Sequence, residues 1–418
     1  MKYIVFLILT FPILSLGYAQ NVFRDQVFNE QIKSIELHPL NKPMGEALIF
    51  LNDPEPLLLK FDEIDADYQD YTYTFIHCDA QWKASDLSQN EYLDGYLESY
   101  ITDYKFSKNT KVPYIHYSLQ FPNSDIQFRY SGNYILKVYP EGKADQPLFT
   151  KRFYVVDSQC NIGGSLIPAS NPEIRNTAQE INFQVNITNL HSQFPSREIT
   201  TQIQQNGRFD NQINRIEPLS IKDGILNFNL QKGNTFPGLN TFRFFDFSNL
   251  ALNSEYVYHI DQTKAIDEVE LLISDFRARR PYKNEPTQFG KSYIETKNYQ
   301  DSDSEAEYAF VQFLLKSSEE LAGGDVYVLG DFDLWSMSHK MTYDLKSNLY
   351  HTKILLKQGY YSYLYAFKKR SAKQADVSRI EGSYFQTPNN YFIRVYYRAS
   401  GTTYDRLVGW QEISNYEK

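Results

Sequence analysis

Apolar and polar residues alternate with a period of two along most of this chain, the pattern of strands that bury one face. Residues 32–37, 46–51, 57–61, 71–76, 114–121, 133–139 and 150–156 are short runs rich in β-branched and aromatic side chains, separated by Pro, Asn and Gly turns. Runs of that length and spacing predict a β-sandwich. A passage rich in Gly, Pro, Ser and Asn at 157–176 marks a boundary. Beyond it, residues 180–188 alternate cleanly, and 199–205, 224–230, 241–247 and 256–260 repeat the style, so a second antiparallel sandwich is expected. A further boundary near 262–267 precedes strands at 269–274, 310–315, 326–329, 350–355, 360–367, 382–384 and 391–397. The expected fold class is all-β: tandem immunoglobulin-like or early-set sandwiches at 20–157, 158–265 and 266–418. No sustained apolar helix pattern supports a parallel α/β fold.

One stretch breaks the period. Tyr92, Leu93, Tyr96, Leu97, Tyr100, Ile101 and Tyr104 recur at helical spacing. Gly95 inside the run costs about 1 kcal/mol against Ala in a helix. A short helix and an ordered crossing loop both fit, and the loop is preferred because these residues need a neighbour's support either way. Tyr92, Tyr96, Tyr100 and Tyr104 have no evident core role and are candidate partner contacts.

The first nineteen residues read as a cleaved export signal: Lys2, an apolar run to Leu16, then Gly17-Tyr18-Ala19 before Gln20. The run is short of the ~20 residues of a membrane span, and Pro12 interrupts it. No Cys follows the cleavage site to carry a lipid, so a soluble, exported chain is expected. Net charge is −9 overall. An acidic chain with scattered bases argues against nucleic acid as partner. The composition includes 34 Tyr and 29 Phe; strand cores and cross-strand pairs cover most of them, and any surplus would lie on exposed strands or loops. Such a surplus suits binding a large partner.

Chemistry-bearing residues are sparse. Cys78 and Cys160 are the only cysteines, and in an oxidising compartment a bridge between them is favoured over two buried thiols, with a metal site last. The seven histidines are isolated, with no metal spacing, Gly-x-Ser-x-Gly elbow or P-loop. His77-Cys78-Asp79 resembles an activated thiol, yet neighbours on a strand point to opposite faces. Asp301-Ser302-Asp303-Ser304-Glu305 looks calcium-like but lacks the Gly and distal Glu of an EF-hand, so a solvated loop is expected. No cofactor and no catalytic residue is expected.

Two resemblances follow. Residues 326–335 (Val-Tyr-Val-Leu-Gly-Asp-Phe-Asp-Leu-Trp), then Met341, Asp344, Tyr350 and Gly359-Tyr360-Tyr361-Ser362-Tyr363, are similar to early-set modules of branching enzymes and glycogen-binding kinase subunits. That resemblance implies a strand, a tight Gly-Asp turn, an aromatic anchor and a hairpin packed on it. Some such modules bind α-glucans with a Trp matching Trp335, a hairpin Lys and a second Trp. Here Leu364 replaces the Lys and no second Trp follows before Asn390. A core role for Trp335 is expected, and exported carbohydrate binding is the alternative function.

The second resemblance spans the mature chain. It rests on His77-Cys78-Asp79-Ala80-Gln81-Trp82, Ser85-Asp86-Leu87, Glu91-Tyr92-Leu93-Asp94-Gly95, Ser107-Lys108-Asn109-Thr110, Tyr114-Ile115-His116-Tyr117, Phe121-Pro122-Asn123 and Ser131-Gly132-Asn133-Tyr134, with Tyr396-Tyr397-Arg398 and Tyr404-Asp405-Arg406-Leu407-Val408-Gly409 at the far end. This order resembles the type IX secretion system plug family, with Gln81 where that pattern carries an acid. The resemblance implies a periplasmic protein, peripheral to the outer membrane, that docks on the translocon barrel and closes it while no cargo passes. It implies no active-site residues.

Overall fold

Alternating runs become strands almost where the pattern places them. The structure, a computed structural model, describes residues 22–229, 232–285 and 288–415. The expected export signal at 1–19 lies outside them. With 47% strand and 6% helix, there is no helical layer to cover a parallel sheet, and the fold is all-β.

The first sandwich pairs two sheets. One runs Gln26–Val27, Phe149–Val156, Gly132–Pro140, Tyr71–Cys78, Glu98–Ile101, with Leu48–Phe50 parallel to Phe149–Val156. The other runs Ile32–Pro39, Leu57–Ile64, Tyr114–Phe121, Asp103–Phe106. Between them lies an aromatic core in which Phe61 stacks on Tyr117 at 5.0 Å, and Phe75, Phe121, Phe128 and Phe153 meet edge-on or tilted. Each such ring contributes about 1.5–3 kcal/mol by leaving water. Much of the Tyr and Phe surplus is spent here.

Five expectations are corrected. The boundary passage at 157–176 carries a strand, Asn161–Pro168, paired along its length with Ala178–Asn186. Gly163 and Gly164 weaken its strand signal, and Gly164 is used because a Cβ there would lie 2.5 Å from Ile413. Residues 382–384 form no strand; they follow the short helix Ser378–Glu381. The largest change is the order of domains.

The second and third sandwiches are not consecutive. One sheet of the second holds Asn161–Pro168, Ala178–Asn186, Ile225–Asn227 and Ser220–Lys222, with Thr235–Pro237 alongside Ala178–Asn186. Its other sheet runs Ile213–Ile216, Ile199–Gln205, Asn390–Tyr397, Arg406–Ser414. The last two strands of the chain therefore complete the second sandwich. The third is inserted between: Arg243–Asp246, Gly359–Lys369, Gly324–Leu329, His339–Asp344, Leu349–Lys357, Tyr308–Lys316, Asp267–Leu271 and Val257–Asp261, in that spatial order. A division at 265/266 does not describe this pairing, because alternation identifies a strand without naming its neighbour. The expected hairpin at Gly359 is a crossing instead. Leu349–Lys357 and Gly359–Lys369 take different partners, and His339–Asp344 bonds to one face with its first half and the other with its second.

Apolar clusters and buried polar groups both join the sandwiches. Arg394, fully buried, donates to Gln204 Oε1 (2.6 Å) and Tyr154 Oη and lies 4.6 Å over the Tyr154 ring, tying the second sandwich to the first. First and third meet at Asp62, which accepts from Lys357 Nζ (2.7 Å), Tyr308 Oη (2.7 Å) and His116 Nδ1 (2.6 Å). The acidic run at 301–305, expected as a solvated loop, belongs to this contact. Asp301 caps the helix Ser302–Glu305 and pairs with Lys105 (3.1 Å), while Asp303 pairs with Lys60 (2.7 Å). Its cations come from some 200 residues earlier, which a charge run cannot reveal.

Candidate interaction surface

The tempting chemical clusters are structural. His77 is buried, with Nδ1 at 2.8 Å from Ser85 Oγ and Nε2 at 3.2 Å from the Ser131 carbonyl. Burial pushes its pKa down to about 4, and pushes the Cys78 thiol up to about 12. A neutral imidazole beside a protonated thiol is no nucleophile pair at neutral pH. Asp79 instead folds its own loop, accepting from the Gln81 and Lys83 amides at 2.9 Å. Ala80 then donates to Asp405 (2.8 Å) and accepts from Gln202 (2.7 Å), and Asn133 accepts from Tyr396 Oη (2.8 Å). The far-apart motif groups of the plug resemblance thus meet at the joint between first and second sandwiches.

The cysteine bridge expected from compartment and count is not formed: both are free thiols. Cys78 packs with Ala80, Trp82 and Leu407, whereas Cys160 packs on the core of the second sandwich and points at the Val408 carbonyl (3.3 Å). Each thiol has its own apolar cluster, and burial pushes Cys160 also up to about 12. Among the described residues no group of three or more His, Cys, Asp or Glu could hold a metal. Trp335 is 8% exposed, packed with Leu239, Phe242, Leu329 and Leu364. Trp335 is therefore held within an apolar cluster.

The Tyr92–Tyr104 stretch is neither helix nor crossing loop. A turn of helix, Gln89–Tyr92, is held by a capping box in which Ser88 N–H donates to Glu91 (2.7 Å). Leu93, in extended conformation, ends it; Gly95 two residues on has φ +98°, and a Cβ there would lie 2.0 Å from the Asp125 carbonyl. The chain continues extended as Leu93–Gly95, Glu98–Ile101 and Asp103–Phe106. Tyr92 turns inward, 3% exposed, and donates to the Phe75 carbonyl (3.1 Å), so it is withdrawn as a contact residue. Tyr96, Tyr100 and Tyr104 stay exposed, at 66%, 52% and 38%.

These three are joined by two rings that the helical spacing hid. Phe106 is 56% exposed and meets Tyr104 edge-on at 5.8 Å; Tyr68 lies 4.4 Å from Tyr104. Strand spacing from Tyr104 to Phe106 was the available signal. Carboxylates fix the hydroxyls: Tyr68 donates to Asp70 (2.6 Å) and Tyr100 to Glu141 (2.7 Å). The Asp70 hydrogen bond pushes the Tyr68 phenol up to about 12. Tyr100 is also raised, first by its bond to Glu141 and then by the charges of Glu141, Glu98 and Asp70. The result is an acidic, aromatic rim along one side of the first sandwich.

Multi-sandwich architecture, buried and partnered reactive groups and one aromatic rim define a class: a β-scaffold built for recognition. Comparison with known proteins makes this specific. The model of the type 9 secretion system plug protein first domain matches residues 32–157, which include the whole rim. A crystal structure of a hypothetical protein from Parabacteroides merdae ATCC 43184 is 32% identical, with a TM-score of 0.91, covering 95% of this chain and 100% of that one. Among curated proteins nothing matches. Residues 32–157 thus carry the first domain of the type IX secretion system plug family, which is not an enzyme family.

Proposed function

We propose that this protein stoppers the type IX translocon, docking on the periplasmic mouth of its outer-membrane barrel while no cargo passes. The observation that carries the reading is the family match over residues 32–157. Its support is the exposed rim within that segment and the packed joints between sandwiches, which suit a block more than a hinge. Among the described residues no helix is long and apolar enough to cross a membrane, in keeping with a peripheral partner of the barrel. Stable yet releasable closure needs a contact of about 1,200 Å² or more.

The experiment compares tagged barrels purified empty and with trapped cargo, alongside antibiotic permeability in a deletion strain. Enrichment on the empty barrel and a leaky deletion strain are expected. Equal recovery from both, with an intact permeability barrier, would sink the proposal.

A further inference from the structure

The aromatic rim is also an open sheet edge. Glu98–Ile101 ends one sheet of the first sandwich and Asp103–Phe106 ends the other, with Thr102 between them. The two form one extended run that changes sheets, about 30 Å long at ~3.3 Å per residue. Its second half has a defined polarity. Ser107 N–H donates to the Tyr114 carbonyl (2.9 Å), and the register pairs Lys105 with His116 and Asp103 with Ser118. By antiparallel alternation, Lys105 and Asp103 bond inward, while the amides and carbonyls of Tyr104 and Phe106 turn outward. Among the described residues no strand takes them.

Edges of this kind are normally blunted by lysine, proline or a bulge. Here the one lysine, Lys105, is tied to Asp301 on the third sandwich, and residues 98–106 contain no proline. Around the run stand Glu98, Asp103, Asp70 and Glu141, and the charges acting on Tyr100 are all carboxylates. An aromatic rim under negative potential favours guanidinium and ammonium groups, which stack on tyrosine faces.

Resting on the reading above, we infer that this edge binds its partner by strand addition: an extended, Arg/Lys-bearing segment of the barrel pairs with Tyr104 and Phe106. The backbone supplies hydrogen bonds, and the rim selects a basic strand over an acidic one.

The test uses the full-length protein and the empty tagged barrel. Phe106→Pro removes an outward amide together with the ring; Phe106→Ala removes the ring alone. Circular dichroism and melting confirm that both variants fold. The proline variant should bind at least about tenfold more weakly than the alanine variant, the span of one lost backbone hydrogen bond at an interface. Glu98→Lys/Glu141→Lys should also weaken binding, and hydrogen exchange at Tyr104 and Phe106 should slow in the wild-type complex. If wild type binds but proline and alanine variants bind alike, strand addition is wrong and the stopper survives. If wild type fails to bind the barrel, both fall. Concentration-dependent dimers abolished by Phe106→Pro would make the edge a self-association site and overturn the inference.

Discussion

Asp62 shows how a residue invisible to pattern reading can govern a joint. It sits on the strand Leu57–Ile64, fully buried. Burial penalises its charge, yet the Lys357 ammonium and the His116 hydrogen bond outweigh this and hold its carboxyl below the usual 3.8. A depressed carboxylate stabilises the fold above its unfolded pKa, and that contribution is lost as pH falls through the folded value. Lys357→Met strands the charge and should cost about 3–5 kcal/mol at pH 7. The penalty should shrink towards pH 4, where the abandoned carboxyl takes up a proton. Urea denaturation at both pH values checks this; a penalty independent of pH would contradict the assignment. Nothing in the sequence around Asp62 points to Lys357, which lies 295 residues away. The cysteines teach the same lesson in reverse: count and compartment favoured a bridge, but packing placed each thiol in a separate cluster.

At the scale of elements, strand existence was legible and strand neighbours were not. Tyr114–Phe121 and Ile199–Gln205 fall where alternation put them. The spacing of Tyr92, Tyr96, Tyr100 and Tyr104 misled because one helical turn, a glycine turn and two strands happened to share it. Tyr92 proved core while Tyr96, Tyr100 and Tyr104 stay exposed, and the exposed Phe106 and Tyr68 were missed through reading the wrong period. In the third sandwich the Gly-Asp-Phe-Asp-Leu-Trp turn was readable, and its depth was not. With Trp335 packed in its apolar cluster and Leu364 where a hairpin Lys is called for, affinity electrophoresis in glycogen should show no retardation of the wild-type protein. Trp335→Ala should instead destabilise by about 3–5 kcal/mol, the cost of a vacated core position. Retardation that the substitution abolishes would restore the carbohydrate reading.

For the whole molecule, the decisive fact is that Asn390–Tyr397 and Arg406–Ser414 pair with Ile199–Gln205 and not with the third sandwich. Ile393 and Val395 share one core with Phe183, Val185 and Ile203. A chain truncated after residue 385 therefore exposes that core. It should lose the second sandwich while the third, closed between Arg243 and Lys369, keeps its own pairing. Limited proteolysis should cut the truncated chain at 161–237 and leave 243–369 resistant. Equal resistance of both segments would contradict the inserted topology.

That insertion also sets a clock. Chains are synthesised from the amino end, so the middle sandwich waits, half-built, until residues 390–414 arrive. The first and third sandwiches can close earlier, each from its own strands. Because Arg394 and Asp405, which bolt the second sandwich to the first, ride on or beside those last strands, the rigid block snaps together only when the tail arrives. A molecule that lacks those strands cannot present the finished block.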